Sequence, residues 1–160
     1  PVLGRFFYDS EDRVPDRDRV EPEARDAGDL RALLEQDQER DAEGDRDLVE
    51  WNYGRYEGLT PAQIHAMAPG WLLFRDGGPG GEQPGEIGAR VDRVIEKARA
   101  VKGNVILFAH GHVLRVFAAR WVGLPPSEGQ RFLLDTATMN ILSYYGGAPA
   151  IKRWNAPVQF

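Results

Sequence analysis

Two histidines in 107-LFAHGHVLR-115, His110 and His112, stand on either side of Gly111 and directly follow the apolar run Val105, Ile106, Leu107, Phe108. In an open α/β sheet, ligands bind beyond the carboxyl ends of strands, where the next helix presents unpaired N–H groups and the positive end of its dipole. Gly111 lets a bound group come close to the backbone. An anion suits such a place, phosphate above all. His110 then has two roles open to it: donating to a phosphoryl oxygen as charge develops, or closing the strand end against a buried carbonyl. His112 is expected to pack in the first helical turn. An H-x-H metal pair is disfavoured, since the two rings diverge along a helix start and no third ligand stands out.

A second group of chemistry-bearing residues lies in 48-LVEWNYGRYEG-58, where Glu50 and Glu57 are set among Trp51, Tyr53 and Tyr56. Desolvation by aromatic neighbours raises a carboxyl group's proton affinity, which suits a general acid that protonates a leaving oxygen. The plainer alternatives are an exposed strand edge for Glu50 and a helix cap for Glu57. In 71-WLLFRDGG-78, Arg75 either touches a second phosphate or is a solvated charge, the commoner fate of an arginine.

The elements that would position these groups follow from periodicity and punctuation. Thr60-Pro61 before Ala62, Gln63, Ile64 marks a helix start, with Thr60 as N-cap and Pro61 at the first helical position, and His65 rides on that helix. After the glycine- and proline-rich loop 76-DGGPGGEQPG-85, Ile87, Val91, Val94, Ile95, Ala98 and Val101 share one helical face. Gly103-Asn104 turns the chain into the strand 105–109, His110-Gly111 opens a second helix, and Gly123 with Pro125-Pro126 stops it. Leu133-Leu134, 139–145 and 150–154 read as strands, the last two joined at Gly146-Gly147. Helix, apolar strand and helix in succession predict a βαβ unit and a sheet of parallel strands covered by helices.

Residues 1–47 differ in texture. They hold 16 acidic and 8 basic residues, against 9 and 12 in the remainder, so a balance of −8 is followed by one of +3. Pro1 to Tyr8 reads as one strand, 30-LRALLEQ-36 as a short helix, and 12–29 as solvated loop or disorder with too few apolar residues for a core. A chain of 160 residues that is 42% hydrophobic fits one domain over residues 1–160, with 1–47 atypical. No apolar run reaches 18 residues and the first residues lack a signal-peptide pattern, so no membrane partner is expected. The net charge of −5 argues against nucleic acid, and the absence of cysteine fits a cytoplasmic location. Trp121, Phe132 and Tyr144 suit a core or an interface, so a homodimer is compatible.

Leu48, Glu50, Gly54, Glu57 and Gly58 fit an L-x-E-x-x-x-G-x-x-E-G motif, Pro79 to Glu82 a P-G-G-E loop, and Phe108 to His112 with Arg115 a second histidine motif. In these motifs and their order, the chain from about Leu48 to Asn155 resembles the histidine phosphatase superfamily, of phosphoglycerate mutase-like fold. Its wording is nearest to sedoheptulose-bisphosphatase-like sugar-phosphate phosphatases. The resemblance implies a three-layer αβα sandwich with a mostly parallel sheet, and a mechanism without metal or cofactor. In it one histidine attacks phosphorus, and a glutamate protonates the alkoxide and then activates water. Glu50 matches that acid and His110 the second, phosphate-binding histidine, with Gly111, His112 and Arg75 around a small phosphorylated metabolite.

The family's Arg-His-Gly nucleophile triplet does not occur, and no histidine precedes His65. The arginine helix expected between that motif and the glutamate has no match either; Gly4-Arg5-Phe6-Phe7 comes nearest to the lost strand end, with Arg5 as a relic and Phe6 unable to attack phosphorus. Three accounts fit: the N-terminal half is incomplete or misread here, the fold binds phosphorylated ligands without turning them over, or His110 or His112 has become the nucleophile. The first agrees best with the survival of Glu50 and His110 together. The expected activity is phosphomonoester hydrolysis, with a catalytically impaired binding module and phosphoglycerate mutase activity as alternatives.

Overall fold

The computed structural model describes residues 43–157 and, as backbone, residues 4–8. The helix expected at 30–36 and the loop expected at 12–29 lie outside the described residues. The first strand, β1 (Gly4–Tyr8), falls within the stretch read as strand from the sequence. Helix α1 (Pro61–Met67) starts as its sequence predicts: the Thr60 hydroxyl accepts from the Gln63 N–H, and the Gln63 side chain returns the bond to the Thr60 N–H. One turn of helix, α2 (Leu73–Asp76), follows.

Helix α3 (Pro84–Ala100) opens on Pro84, and the Glu86 carboxylate accepts from the Gln83 N–H at 2.7 Å. Its buried face carries Ile87, Val91, Val94, Ile95 and Ala98. Val101, expected on that face, is 48% exposed because the helix ends at Ala100 and Val101 turns extended. Strand β2 (Val105–Ala109) leads through His110 into α4 (Gly111–Trp121), whose Val113, Leu114, Val116, Phe117, Ala118 and Trp121 complete the core with Trp51 and Leu142. No helix among the described residues is long and apolar enough to cross a membrane.

Strands β3 (Thr138–Tyr145) and β4 (Ala148–Pro157) form an antiparallel hairpin. Its turn is Gly146-Gly147 with φ of +57° and +82°, the left-handed pair that a two-residue hairpin requires. The expectation of strand at Leu133-Leu134 is not met. The Leu133 carbonyl accepts from Trp154 Nε1 at 2.6 Å and the Asp135 N–H donates to Asn155 Oδ1 at 2.7 Å, so side chains of β4 take the groups a ladder would use.

The α/β class read from the sequence holds, and the sheet corrects the pairing. Its order is β2-β1-β3-β4, with β1 parallel to β3 but antiparallel to β2. The mostly parallel sheet that was expected is therefore mixed, with one parallel pair among the described strands. The reason lies after α4. The 3₁₀ turn Pro126–Arg131 folds back along that helix, and its Gly129 and Gln130 carbonyls accept from Arg115 in the middle of α4. The chain thus returns to the carboxyl end of β2 before β3 begins, and β3 runs opposite to β2.

One close approach holds the region of interest. A Cβ on Gly81 would lie 2.4 Å from both the Asn52 carbonyl oxygen and the Gly54 nitrogen, and one on Gly78 would lie 2.5 Å from the same carbonyl. The P-G-G-E loop and the Glu50 stretch therefore pack backbone to backbone. Gly81→Ala is expected to cost about 1–3 kcal/mol, the usual range for forcing extra volume into a packed site. Gly85→Ala, at a helical position with nothing within 4 Å, should leave stability unchanged or slightly higher. Chemical denaturation of the two variants checks the contrast, and equal midpoints would refute it.

Candidate active site

Glu50 lies between the 3₁₀ turns Arg46–Leu48 and Gly54–Tyr56. The first turn is tied to α3 by ion pairs from Asp47 to Arg93 and from Asp45 to Lys97. The second is closed by the Glu57 carboxylate, which accepts from the Tyr53 N–H at 2.8 Å, so Glu57 serves the turn rather than a helix. Between them the backbone is clamped. Trp51 Nε1 donates to the Glu82 carbonyl at 2.8 Å, and the Glu82 N–H donates to the Asn52 carbonyl at 2.9 Å.

Arg90 ties these pieces together. Only 7% exposed on α3, it forms a two-point ion pair with Glu82, with Nε to Oε1 at 2.6 Å and Nη2 to Oε2 at 2.9 Å. Its remaining donors reach the Asp47 carbonyl at 2.7 Å and the Glu50 carbonyl at 3.3 Å. Planar geometry and five donors allow one guanidinium to hold two loops at once.

The Glu50 carboxylate is delivered to the N-terminus of α4. It accepts from the N–H groups of His112 at 3.2 Å and Val113 at 3.0 Å, and from its neighbour Trp51 at 2.9 Å. His110, at the N-cap position in extended conformation, makes no side-chain capping bond. Glu50 therefore caps the helix from 60 residues upstream in its place, satisfying donors that a helix start leaves unpaired. Burial pushes the Glu50 pKa upward, but the hydrogen bonds and the charge interaction with His112 outweigh it and hold the carboxyl below its ordinary value. The raised proton affinity expected from the aromatic neighbours is overturned, because the His112 side chain, together with the Trp51 and His112 N–H groups, stabilises the anion more than burial opposes it.

His112 does more than pack in the first turn. Its Nδ1 lies 2.7 Å from the Tyr53 hydroxyl and 3.7 Å from Glu50 Oε2, and its ring rests 5.5 Å from that of Phe74. The same Phe74 ring also carries Arg115, whose guanidinium carbon is 4.5 Å from its centroid. Burial lowers the Arg115 pKa, with Glu50 and Tyr53 acting against it. Glu50, Gly111 and His112 thus come together at the start of α4, with His110 at the adjoining strand end. Arg75 does not join them: its guanidinium is taken by Asp76 and by the Gly70 carbonyl. His65 is exposed on α1. Tyr53, and Arg115 of the second histidine motif, border this group although the sequence reading gave neither a role. Each lies three positions beyond a singled-out residue, Glu50 and His112, and that spacing is the signal for them. Among the described residues, no three His, Asp or Glu side chains are grouped as a metal site needs.

Comparison with known proteins identifies the family and the fold. A family model described as the histidine phosphatase superfamily (branch 1) matches residues 27–157. An acid phosphatase of Mycobacterium tuberculosis is 39% identical over 102 residues, covering 62% of this chain and 50% of that protein. Sedoheptulose 1,7-bisphosphatase of Saccharomyces cerevisiae is 36% identical over 97 residues, 50% of this chain and 36% of that protein. The chain spans half the length or less of these curated relatives. A solved structure of a Mycobacterium tuberculosis open reading frame product superimposes with a TM-score of 0.73 at 25% identity, over 99% of both chains. A mycobacterial glucosyl-3-phosphoglycerate phosphatase in complex with inorganic phosphate gives 0.68 at 22% identity over the whole of both chains, a likeness of fold.

Two outcomes follow from the geometry. Arg90→Met leaves the Glu82 carboxylate largely buried without its partner and is expected to cost about 3–5 kcal/mol, whereas the double change with Glu82→Gln recovers part of that loss. Denaturation midpoints of the single and double variants measure this coupling. For Glu50, a depressed folded-state pKa means that its contribution to stability is complete above the unfolded value of about 4.3 and is lost as pH falls through the lower folded value. The stability advantage of the wild type over Glu50→Gln should therefore shrink as pH falls below about 4.3. A difference that stays constant down to pH ~2 would contradict it.

Proposed function

Because the chain belongs to the histidine phosphatase superfamily (branch 1), we propose that the start of α4 binds a small phosphorylated metabolite and that the chain with this sequence holds it with impaired turnover. The family links the chain to phosphatase or mutase chemistry on such metabolites. The observation that carries the reading is the Glu50 carboxylate on the His112 and Val113 N–H groups, beside the Tyr53–His112 pair and at the helix start that His110 opens. A place where the fold stabilises one anion suits another. The phosphoryl group takes up the helix N–H groups that Glu50 now occupies, and His110 and His112 donate to its oxygens. Arg115 adds a positive field one turn further on.

Turnover needs a nucleophile. In a phosphohistidine mechanism an imidazole nitrogen bonds to phosphorus, the ester P–O bond breaks, and the departing alkoxide takes the proton of a carboxylic acid. The resulting carboxylate then takes a proton from the water whose oxygen attacks phosphorus, which frees the histidine and inorganic phosphate. Glu50 fits the acid and base of both steps. The attacking histidine has no candidate in this sequence apart from His65, exposed on α1, and the pair already placed at α4. Hydrolysis remains the second reading, favoured by the preserved contact between Glu50 and the histidine stretch. Glu50 is then armed when a phosphate dianion draws near, since a neighbouring negative charge raises a carboxyl pKa.

Titration with inorganic phosphate and a panel of sugar phosphates and phosphoglycerates, followed by calorimetry and phosphate release, separates the readings. The expected result is saturable binding, weakened at least about tenfold in His110→Ala by loss of a charge-assisted bond, with release at background. Release above background together with an acid-labile phosphoprotein would favour hydrolysis, and Glu50→Gln should then lower its rate by about 10²–10⁴. Failure of every phosphorylated compound to bind would overturn both.

A further inference from the structure

The Nδ1 atom of His112 has two oxygens within reach, the Tyr53 hydroxyl at 2.7 Å and Glu50 Oε2 at 3.7 Å. Only one of them settles where the ring carries its proton. A hydroxyl can donate or accept, but among the described residues His112 Nδ1 is the one acceptor in reach of the Tyr53 hydrogen; when the hydroxyl donates there the nitrogen offers its lone pair, which leaves the proton of a neutral imidazole on Nε2. A carboxylate only accepts, so pairing with Glu50 would require the proton on Nδ1.

The surroundings favour the first arrangement. Tyr53 stands edge-on to the imidazole at 88°, with ring centroids 5.7 Å apart, and its N–H is anchored to Glu57. Burial, then the charges of Glu50 and Glu57, push its hydroxyl well above the ordinary phenol range, so it holds its proton. Glu50 is already supplied with three backbone donors at 2.9, 3.2 and 3.0 Å, each nearer to it than His112 Nδ1 at 3.7 Å. The ring also rests against Phe74, and the charged groups near it are Glu50 and Arg115, the latter packed on the same Phe74.

We propose that Tyr53 is a positioning residue that locks His112 in its Nε2–H form, keeping Nδ1 from pairing with Glu50 and leaving Nε2–H as the ring's donor to a ligand at the start of α4. The last clause rests on the phosphoryl-binding reading above, whereas the tautomer assignment does not. The arrangement separates two duties. The neutral His112 ring donates through Nε2, while the Glu50 carboxylate keeps its backbone donors and has the imidazole as a neighbour rather than as its hydrogen-bond partner.

Long-range ¹⁵N–¹H correlation spectra of the labelled protein test this directly, with the His112 ring assigned through His112→Asn. Wild type should show the Nε2–H pattern in the neutral ring. In Tyr53→Phe the ratio of Nδ1–H to Nε2–H should rise about five- to tenfold, the size of one neutral hydrogen bond, as Glu50 becomes the remaining partner for Nδ1. An Nδ1–H ring in the wild type overturns the assignment without any variant, and an unchanged ratio in a folded Tyr53→Phe overturns it as well. Inorganic phosphate is the ligand probe: it should shift the Nε2–H resonance of the wild type. A missing shift with the tautomer pattern intact would remove the phosphoryl-binding reading and leave the role of Tyr53 standing.

Discussion

The buried ion pair between Arg90 and Glu82 is the constraint on which the geometry around Glu50 depends. Two charges withdrawn from water repay their desolvation only when every donor and acceptor is used. Arg90 meets that condition by turning its spare donors to the Asp47 and Glu50 carbonyls, so the ion pair is also a backbone clamp. Glu82 completes it from the other side, lending its carbonyl to Trp51 and its N–H to Asn52. The glycines at 78 and 81 follow as a consequence, since the two backbones held together in this way leave no space for a Cβ.

What the clamp delivers is a carboxylate in the position of a helix cap. Helix α4 starts directly from a strand, at a residue whose side chain does not cap it, and its first N–H groups would otherwise lack partners. Glu50 supplies them and is held ionised in return. The same interaction that stabilises the helix start opposes a second anion there, so on the proposed reading a phosphoryl group would either displace the carboxylate or protonate it. Either event moves Glu50 toward the state a proton donor needs.

Local signals were legible in the sequence where one stretch of chain decides the outcome. Thr60-Pro61 capped a helix, Gly146-Gly147 turned a hairpin, and Ile87 to Ala98 formed a buried face, because capping geometry, positive φ and periodicity are settled within a few residues. Glu50 and His112 stood out by type and spacing, and the fold brings them together. The sense of the strands was not legible, since it depends on how far the 3₁₀ turn after α4 carries the chain back along that helix. Arg90 was also hidden. It stands between Ile87 and Val91 on a helix with many charges, and nothing local distinguishes a clamp from a solvated arginine. The proton affinity of Glu50 was misjudged for a related reason: its aromatic neighbours are adjacent in sequence, while His112, the residue that does most to lower it, comes from more than 60 residues away.

His112 shows how far these long-range effects reach. Its backbone N–H serves Glu50 while its ring serves Tyr53, so one residue links the carboxylate to the aromatic stretch that follows it. Tyr53 in turn is set by the turn that Glu57 closes, next to the glycine at 54 that the P-G-G-E loop requires. The two motifs are therefore one object held by Arg90. Weakening the clamp disturbs the helix cap and the orientation of His112 together, because both are read from the same few residues of backbone between Glu50 and Gly54.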